Sequence, residues 1–266
     1  MDKNFSILVN SSDGYEDCWV PYFHLLKKYW PSCQSNIYLN TESKNWVSFD
    51  YPDLICTQVE RASKKHLTWS ECLLAALDKI ETPLVLYFQE DYFIHQPVRH
   101  EQIQKASDYM LQHPDISHVA LSKHCSYGPY GDHVEPWLQV IPQKARYRIS
   151  TQAGLWRVDA LRSYLNPVEN GWMFEIFGTW RAHKRQDTFL SAKWDAAGGG
   201  PVIDYLHTGI IKGKWLKDIQ YVFADNNIQI DFQKRGFYEP KPHFLNKLDV
   251  AKKLLQNPRH MLKQLL

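Results

Sequence analysis

The chain opens with short apolar runs set between polar breaks. Phe5 to Asn10 (Phe-Ser-Ile-Leu-Val-Asn) predicts a first strand, which ends in the polar turn Ser11 to Asp17. Trp19 to Trp30 is read as a helix stopped by Pro31, and Asn36 to Asn40 and Leu54 to Val59 as the next two strands. Strand, helix, strand is how a nucleotide-binding α/β unit begins. The usual phosphate loops are missing, since the chain has neither G-x-G-x-x-G nor a Walker sequence.

Thr68-Trp-Ser-Glu71 is a capping box, in which the Thr hydroxyl and the Glu carboxylate each satisfy a free backbone N–H. Trp69, Cys72, Leu73, Ala76, Leu77 and Ile80 then share one helical face, which predicts packing on a sheet. The most informative stretch follows at once. Pro83 to Phe88 carries β-branched and aromatic residues without Gly and reads as a buried central strand. It runs into Glu90 and Asp91, two adjacent carboxylates, and then Tyr92 and Phe93. Ligands of open α/β sheets bind outside the carboxyl ends of the strands, and acids there can hold a hard cation. The plainer alternative is a strand end facing water.

Downstream, a helix is expected over Glu101 to Gln112, ended by Pro114, and a strand over Ile116 to Leu121. Ser122 to Gln143 carries Gly128, Pro129, Gly131 and Pro136 and is expected to be an irregular functional loop. Tyr147 to Thr151 is expected as a strand, Gln152 to Arg157 as a turn, and Val158 to Leu165 as a helix stopped at Asn166-Pro167. A helix through Lys184, a helical turn over Asp187 to Ala192 and a strand over Val202 to Tyr205 complete the reading.

Composition narrows the class. At 266 residues the chain has room for one large domain or a domain with an appendage, and 44% hydrophobic and 14% aromatic content is globular. A net charge of +2 offers no electrostatic basis for nucleic-acid binding. Cys18, Cys33, Cys56, Cys72 and Cys125 are scattered without C-x-x-C spacing, which argues for a reducing compartment and against zinc. With no signal-type segment and no run near ~18 apolar residues, a cytoplasmic location is expected.

Four segments, in this order, resemble bacterial glycosyltransferases of GT-A fold from capsule and lipopolysaccharide synthesis. They are Ser11-x-Asp13-x-Tyr15-x-Asp17-x-Trp19, the Trp69-Ser70 helix, Gln89-Glu-Asp-Tyr-Phe93, and Gln152-Ala-Gly-Leu-Trp-Arg157 followed by Asn166-Pro, Phe174-Glu175 and Gly209-Ile-Ile-Lys-Gly-Lys-Trp215. The resemblance implies a GT-A-like, Rossmann-like mixed sheet flanked by helices. It implies a catalytic domain over 1–245, with a nucleotide-binding half to residue 95 and an acceptor-side half after it. It also implies an inverting transfer from a nucleotide-sugar donor to a glycan or lipid-linked acceptor. Where the family places Asp-x-Asp or an Asp pair, this chain has Glu90-Asp91, so Mg²⁺ or Mn²⁺ dependence and metal-independent transfer both stay open.

Residue by residue, the resemblance assigns Asn10, Ser11, Asp13, Thr57, Gln58, Glu90, Lys212 and Lys214 to the donor. Asp91, Glu90 and His207 are the metal candidates. Glu175, in apolar surroundings that would raise its pKa, is the general base, with Asp187 in reserve. Gln152 and Trp156 would line the acceptor or sugar pocket, Trp156 by stacking, although a Trp there can equally fill core. The competing functions are a sugar nucleotidyltransferase, which would want a basic Gly-rich loop after the first strand, and a non-catalytic sugar- or nucleotide-binding module. The tail, 246–266, is basic and carries leucines at helical spacing, a pattern that suits either a docked helix or peripheral contact with an anionic membrane.

Overall fold

The computed structural model describes residues 4–61, 63, 65–125, 128–193 and 200–240. The tail expected over 246–266 lies outside them. Among the described residues no helix is long and apolar enough to cross a membrane.

Strand β1 (Phe5–Asn10) lies between β2 (Ile37–Asn40) and β4 (Leu84–Gln89) and is parallel to both, while β3 (Ile55–Cys56) extends the sheet beyond β2. Every residue of β1 is buried and so is nearly all of β4, because helices cover both faces. Phe5, Ile7 and Val9 join one core layer with α1 (Trp19–Tyr29) and α3 (His100–Gln112). Leu8, Val85 and Tyr87 join the other with α2 (Trp69–Leu77), α4 (Val158–Tyr164) and α5 (Gly171–Ala182). A strand buried on both faces reads as a continuous apolar run, which is why these two were plain in the sequence. Each large apolar side chain so buried contributes about 1.5–3 kcal/mol. The capping box of α2 is present as expected, with Glu71 N donating to Thr68 Oγ1 and Thr68 N to the Glu71 carboxylate.

The second half departs from the expected elements. Strands β5 (Ile116–Ala120), β8 (Gly154–Arg157) and β9 (Thr188–Ala192) continue the sheet, and β7 (Leu138–Val140) and β6 (His133–Glu135) close it in the order β3-β2-β1-β4-β8-β5-β9-β7-β6. The expected loop over 122–143 therefore contains a hairpin. Residues Asp187 to Ala192 are largely strand rather than a helical turn, because a short run buried on both faces has no period to distinguish the two. Residues 147–151 are not a strand. Side chains take over the hydrogen bonds there: Ile149 N donates to Thr179 Oγ1 and Thr151 N to Glu175. Residues 202–205 contribute only an isolated bridge, Ile94 to Tyr205.

Strand β8 runs antiparallel between β4 and β5. It was expected as the turn leading into the Val158 helix, and its Gly154 serves close packing. A Cβ at Gly154 would lie 2.3 Å from His118 Nε2. His118 is itself buried against Trp156 and Phe189, and burial, then the Arg148 charge, pushes its pKa down to about 3. Because β8 is reversed, its leading residues 150–153 arrive at the edge of the sheet where β4 ends.

Gly154→Ala should therefore cost about 1–3 kcal/mol of stability by overpacking in urea denaturation. Adding His118→Ala should recover part of that loss. Additive losses in the double variant would mean that the two residues do not meet.

Candidate functional site

The strand order reverses direction between β1 and β4, and crevices at such points hold ligands. A cavity of about 200 Å³ opens there, lined by Asn10, Ser11 and Ser12 after β1, Gln89, Glu90 and Asp91 after β4, and Tyr15, Trp69, Thr208 and Ile210. A second cavity, about 420 Å³, shares Gln89, Thr208 and Ile210 with it. Its other walls include Tyr92, Tyr147, Ser150, Thr151, Gln152, Trp172, Glu175, His207 and Lys212. The structure thus provides two chambers with a common wall.

Asp91 builds that wall. Its Oδ2 accepts hydrogen bonds from Thr208 Oγ1 and, at 3.0 Å, from Ile210 N. A Cβ on Gly209 would fall 2.4 Å from the Phe93 ring and 2.8 Å from Asp91 O, so only glycine lets the loop lie this close. The loop feeds a hairpin, β10 (Ile210–Ile211) and β11 (Lys214–Trp215), whose two turn residues, Lys212 and Gly213, have φ of 52° and 77°. Two positive φ values define the turn that matches strand twist, and a lysine in one of them is unusual. Lys212 reaches the second cavity, whereas Lys214 is exposed and lines neither.

Glu90 and Asp91 are 8% and 5% exposed. Burial raises both pKa values, and repulsion from Asp91 adds to the rise at Glu90. Among the described residues, Asp91 Oδ1 is buried without a hydrogen-bond partner. Two carboxylates with an orphaned oxygen fit a hard cation, which commonly takes one or two protein carboxylates and completes its shell with phosphate oxygens and water. His207 does not join them. It lines the second cavity beside His124, ring centroids 5.2 Å apart, and no cluster of three metal-ligating side chains exists among the described residues.

Several expected donor residues shape the loops without lining the cavity. Backbone N–H groups of Glu42, Ser43 and Lys44 and the Ser43 hydroxyl all donate to the Asp13 carboxylate. Burial would raise the Asp13 pKa, but these hydrogen bonds prevail and lower it. Thr57 Oγ1 donates to Asn40 Oδ1 and Asn40 Nδ2 to Asn10 Oδ1, each at 2.8 Å, and Gln58 Nε2 donates to Ser43 O. Asn10 and Ser11 are left at the surface of the cavity, with Ser11 Oγ accepting from Trp19 Nε1.

One contributor left no signal in the sequence. Arg235 donates to Asp17 through Nε (2.7 Å) and Nη2, donates to Gly14 O, and sits 4.5 Å above the Tyr15 ring. It braces the Tyr15 wall from a segment 218 residues away. A solitary arginine in a polar stretch has no local pattern to betray this.

Glu175 lies in the second chamber, on α5, whose start is capped by Asn170 Oδ1 accepting from Met173 N. Its Oε1 accepts from Thr151 N at 2.8 Å and Thr151 Oγ1 at 2.9 Å. Its Oε2 makes no hydrogen bond among the described residues. Burial raises the pKa of Glu175, outweighing the hydrogen bonds that lower it. Gln152 lines the same chamber with its amide fully engaged, Nε2 donating to Tyr92 OH and Oε1 accepting from Tyr205 OH, both at 3.0 Å. Trp156 corrects the pocket assignment: it is fully buried between His118, Tyr164 and Phe189 and lines neither chamber. Asp187 lines neither; it accepts from Tyr164 OH and pairs with Arg185.

A half-parallel, half-mixed sheet of nine strands, flanked by helices, is a GT-A-like, Rossmann-like fold. No protein-family model and no curated protein matches the chain. Among solved structures it is similar to S. aureus TarS, with a TM-score of 0.50 at 13% identity over 87% of this chain and 41% of that one. S. aureus TarS 1–349 in complex with UDP gives 0.47 at 15% identity, over 71% of this chain and 57% of that one. A cytidylyltransferase from Leptospira borgpetersenii gives 0.48 at 8%, covering 96% and 95%. The chain therefore spans about half the length of the TarS structures.

Asp91→Ala and Asp91→Asn separate the two duties of this side chain. Hydrogen bonds to a charged group are worth about 1.5–3 kcal/mol each, so Asp91→Ala should speed amide exchange across 208–211 by ~10-fold or more. Asp91→Asn keeps an acceptor for Thr208 and Ile210 and should leave exchange near wild type. Equal exchange in both variants would show that Asp91 does not pin the loop.

Proposed function

We propose that the chain is an inverting glycosyltransferase that moves a sugar from a nucleotide-sugar donor to a glycan or lipid-linked acceptor in bacterial surface polysaccharide synthesis. The observation that carries this reading is the pair of chambers: a buried acid pair in one, and in the other a half-buried carboxylate with one oxygen held and one open. TarS, whose fold the chain shares, forms complexes with UDP and UDP-GlcNAc.

In the proposed reaction the donor lies in the chamber of Asn10, Ser11 and Tyr15, its diphosphate toward Glu90 and Asp91. An acceptor hydroxyl in the Glu175 chamber attacks the anomeric carbon from the face opposite the leaving group. Its proton passes to Glu175 Oε2 as the new C–O bond forms, and the electron pair of the breaking C–O bond leaves with the nucleoside diphosphate. Glu175 Oε1 stays fixed by Thr151, which holds Oε2 in place through the step. Lys212, on its hairpin tip, offers positive charge to the departing phosphates. Mg²⁺ or Mn²⁺ on Glu90 and Asp91 would supply further charge neutralisation.

Nucleotidyl transfer to a sugar phosphate is the second reading, since the cytidylyltransferase covers nearly the whole chain. That chemistry calls for basic groups in the loop after β1, and Ser11 to Gly14 contains no Lys or Arg. A donor-hydrolysis screen over UDP-, GDP- and CMP-sugars, run beside pyrophosphate release from nucleoside triphosphates with sugar 1-phosphates, decides between them. Nucleotide-sugar hydrolysis is expected. Pyrophosphate release alone would overturn the proposal.

Glu175→Gln tests the base. Loss of general-base help should lower kcat by about 10²–10⁴ with donor affinity kept. A raised pKa also fixes the sign of the pH dependence. Wild-type activity should fall as pH drops through a value above the ordinary carboxylate range, and the variant should lack that limb. Because the folded state holds this proton more tightly than the unfolded chain, the charge lowers stability once pH exceeds the raised pKa. Glu175→Gln should therefore melt no lower than wild type at neutral pH. A lower kcat with a collapsed melting temperature would make Glu175 structural.

A further inference from the structure

Two aromatic side chains of the second chamber, Trp172 and Tyr147, have no part in the mechanism above. Trp172 stands three residues before Glu175 on α5, so the two share one face of the helix, one turn apart. Its helix neighbours Phe174 and Phe177 are 2% and 1% exposed in the core, whereas Trp172 stays half-exposed on the chamber wall.

Tyr147 also lines the chamber, and it does so with φ of 50°. An aromatic residue in the left-handed region is strained, and such strain persists only where the flanking structure imposes it. The flanks do impose it. Next to Tyr147 the Arg148 guanidinium is buried, Nη1 donating to Ile141 O at 2.6 Å and Nη2 to Asp187 O. One residue further, Ile149 N is fixed on Thr179 Oγ1. Glycine would sit in this conformation without strain, yet the chain places a phenol there.

We infer that the acceptor is a pyranose sugar, lying with a C–H face on Trp172, with Tyr147 as the second aromatic wall and a ring hydroxyl at Glu175 Oε2. The inference rests on the transferase reading and names its acceptor. A pyranose ring presents a flat patch of C–H groups to an aromatic face while its hydroxyls project sideways. The one-turn offset of Glu175 from Trp172 meets such a sideways group. An open-chain polyol has no rigid C–H face to match, and the polar groups around the chamber, including Ser150, Thr151, His124 and Lys212, suit sugar hydroxyls better than an acyl chain.

Saturation-transfer NMR tests this on the whole chain, with and without UDP and Mn²⁺. The probes are methyl glucopyranoside, methyl galactopyranoside and methyl mannopyranoside, with sorbitol and glycerol 3-phosphate as the open-chain arms. At least one pyranoside should receive saturation concentrated on the protons of one ring face. Trp172→Ala and Tyr147→Gly should each weaken its binding by roughly tenfold. Tyr147→Gly relieves the backbone strain, so its melting temperature should hold or rise, which keeps the test valid if Trp172→Ala folds poorly. Preferential binding of sorbitol or glycerol 3-phosphate, or pyranoside binding unchanged in both aromatic variants, overturns the inference. If pyranosides bind through Trp172 while no nucleotide sugar is turned over, the chamber is a pyranose site, and both the transferase reading and the acceptor role fall.

Discussion

Asp91 accepts hydrogen bonds from Thr208 and Ile210, residues 117 and 119 positions further along the chain, and the site is organised around this pair of bonds. They draw the 207–213 loop against the end of β4, which is possible only because Gly209 has no side chain to strike Phe93. With the loop in place, Thr208 and Ile210 become the wall between two chambers, and Lys212 is held over the second. The reversed strand β8 does the complementary work, delivering 150–153 to the same sheet edge, where Thr151 fixes Glu175. One half of the sheet thus supplies a crevice and the other half supplies what faces it.

The carboxylates of the site share a common electrostatic condition. Glu90, Asp91 and Glu175 are all withdrawn from water, and that withdrawal is the largest influence pushing each pKa up. Elsewhere the fold treats acids differently. Asp13 and Asp187 are held low by hydrogen bonds that overcome their burial, and both serve to fasten loops or helices. Asp13 and Asp187 are thus matched with donors, while Asp91 and Glu175 each keep one oxygen without a hydrogen bond among the described residues.

Legibility followed the physics of each segment. β1, β4 and the capped helix α2 were readable because burial on both faces and a capping box leave local marks. Asp91 and Glu175 were found through the resemblance and their surroundings, and the structure puts them on two sides of one wall. Asp13, Thr57 and Gln58 were expected at a ligand site, but their hydrogen bonds point into the loops, a direction sequence does not encode. The sequence left Trp156 equally open to sugar stacking and to core packing, and it is core, while Trp172 faces a cavity; composition cannot tell such tryptophans apart. Strand β8 was not foreseen, and the need for Gly154 in it depends on His118, a residue 36 positions away that only the fold brings near.

The brace between Arg235 and Asp17 has a consequence for the order in which the protein is made. The ribosome delivers β1, the Tyr15 turn and both acids of β4 early, but the cation that steadies Tyr15 is among the last of the described residues to emerge. Until it does, Asp17 lacks this partner and the Tyr15 wall lacks its outer support. A nascent chain carrying every acid of the two chambers would still present a loosely walled crevice. Completion of the crevice is thereby tied to translation past Arg235, so that a polypeptide released before it carries the acids without the finished wall.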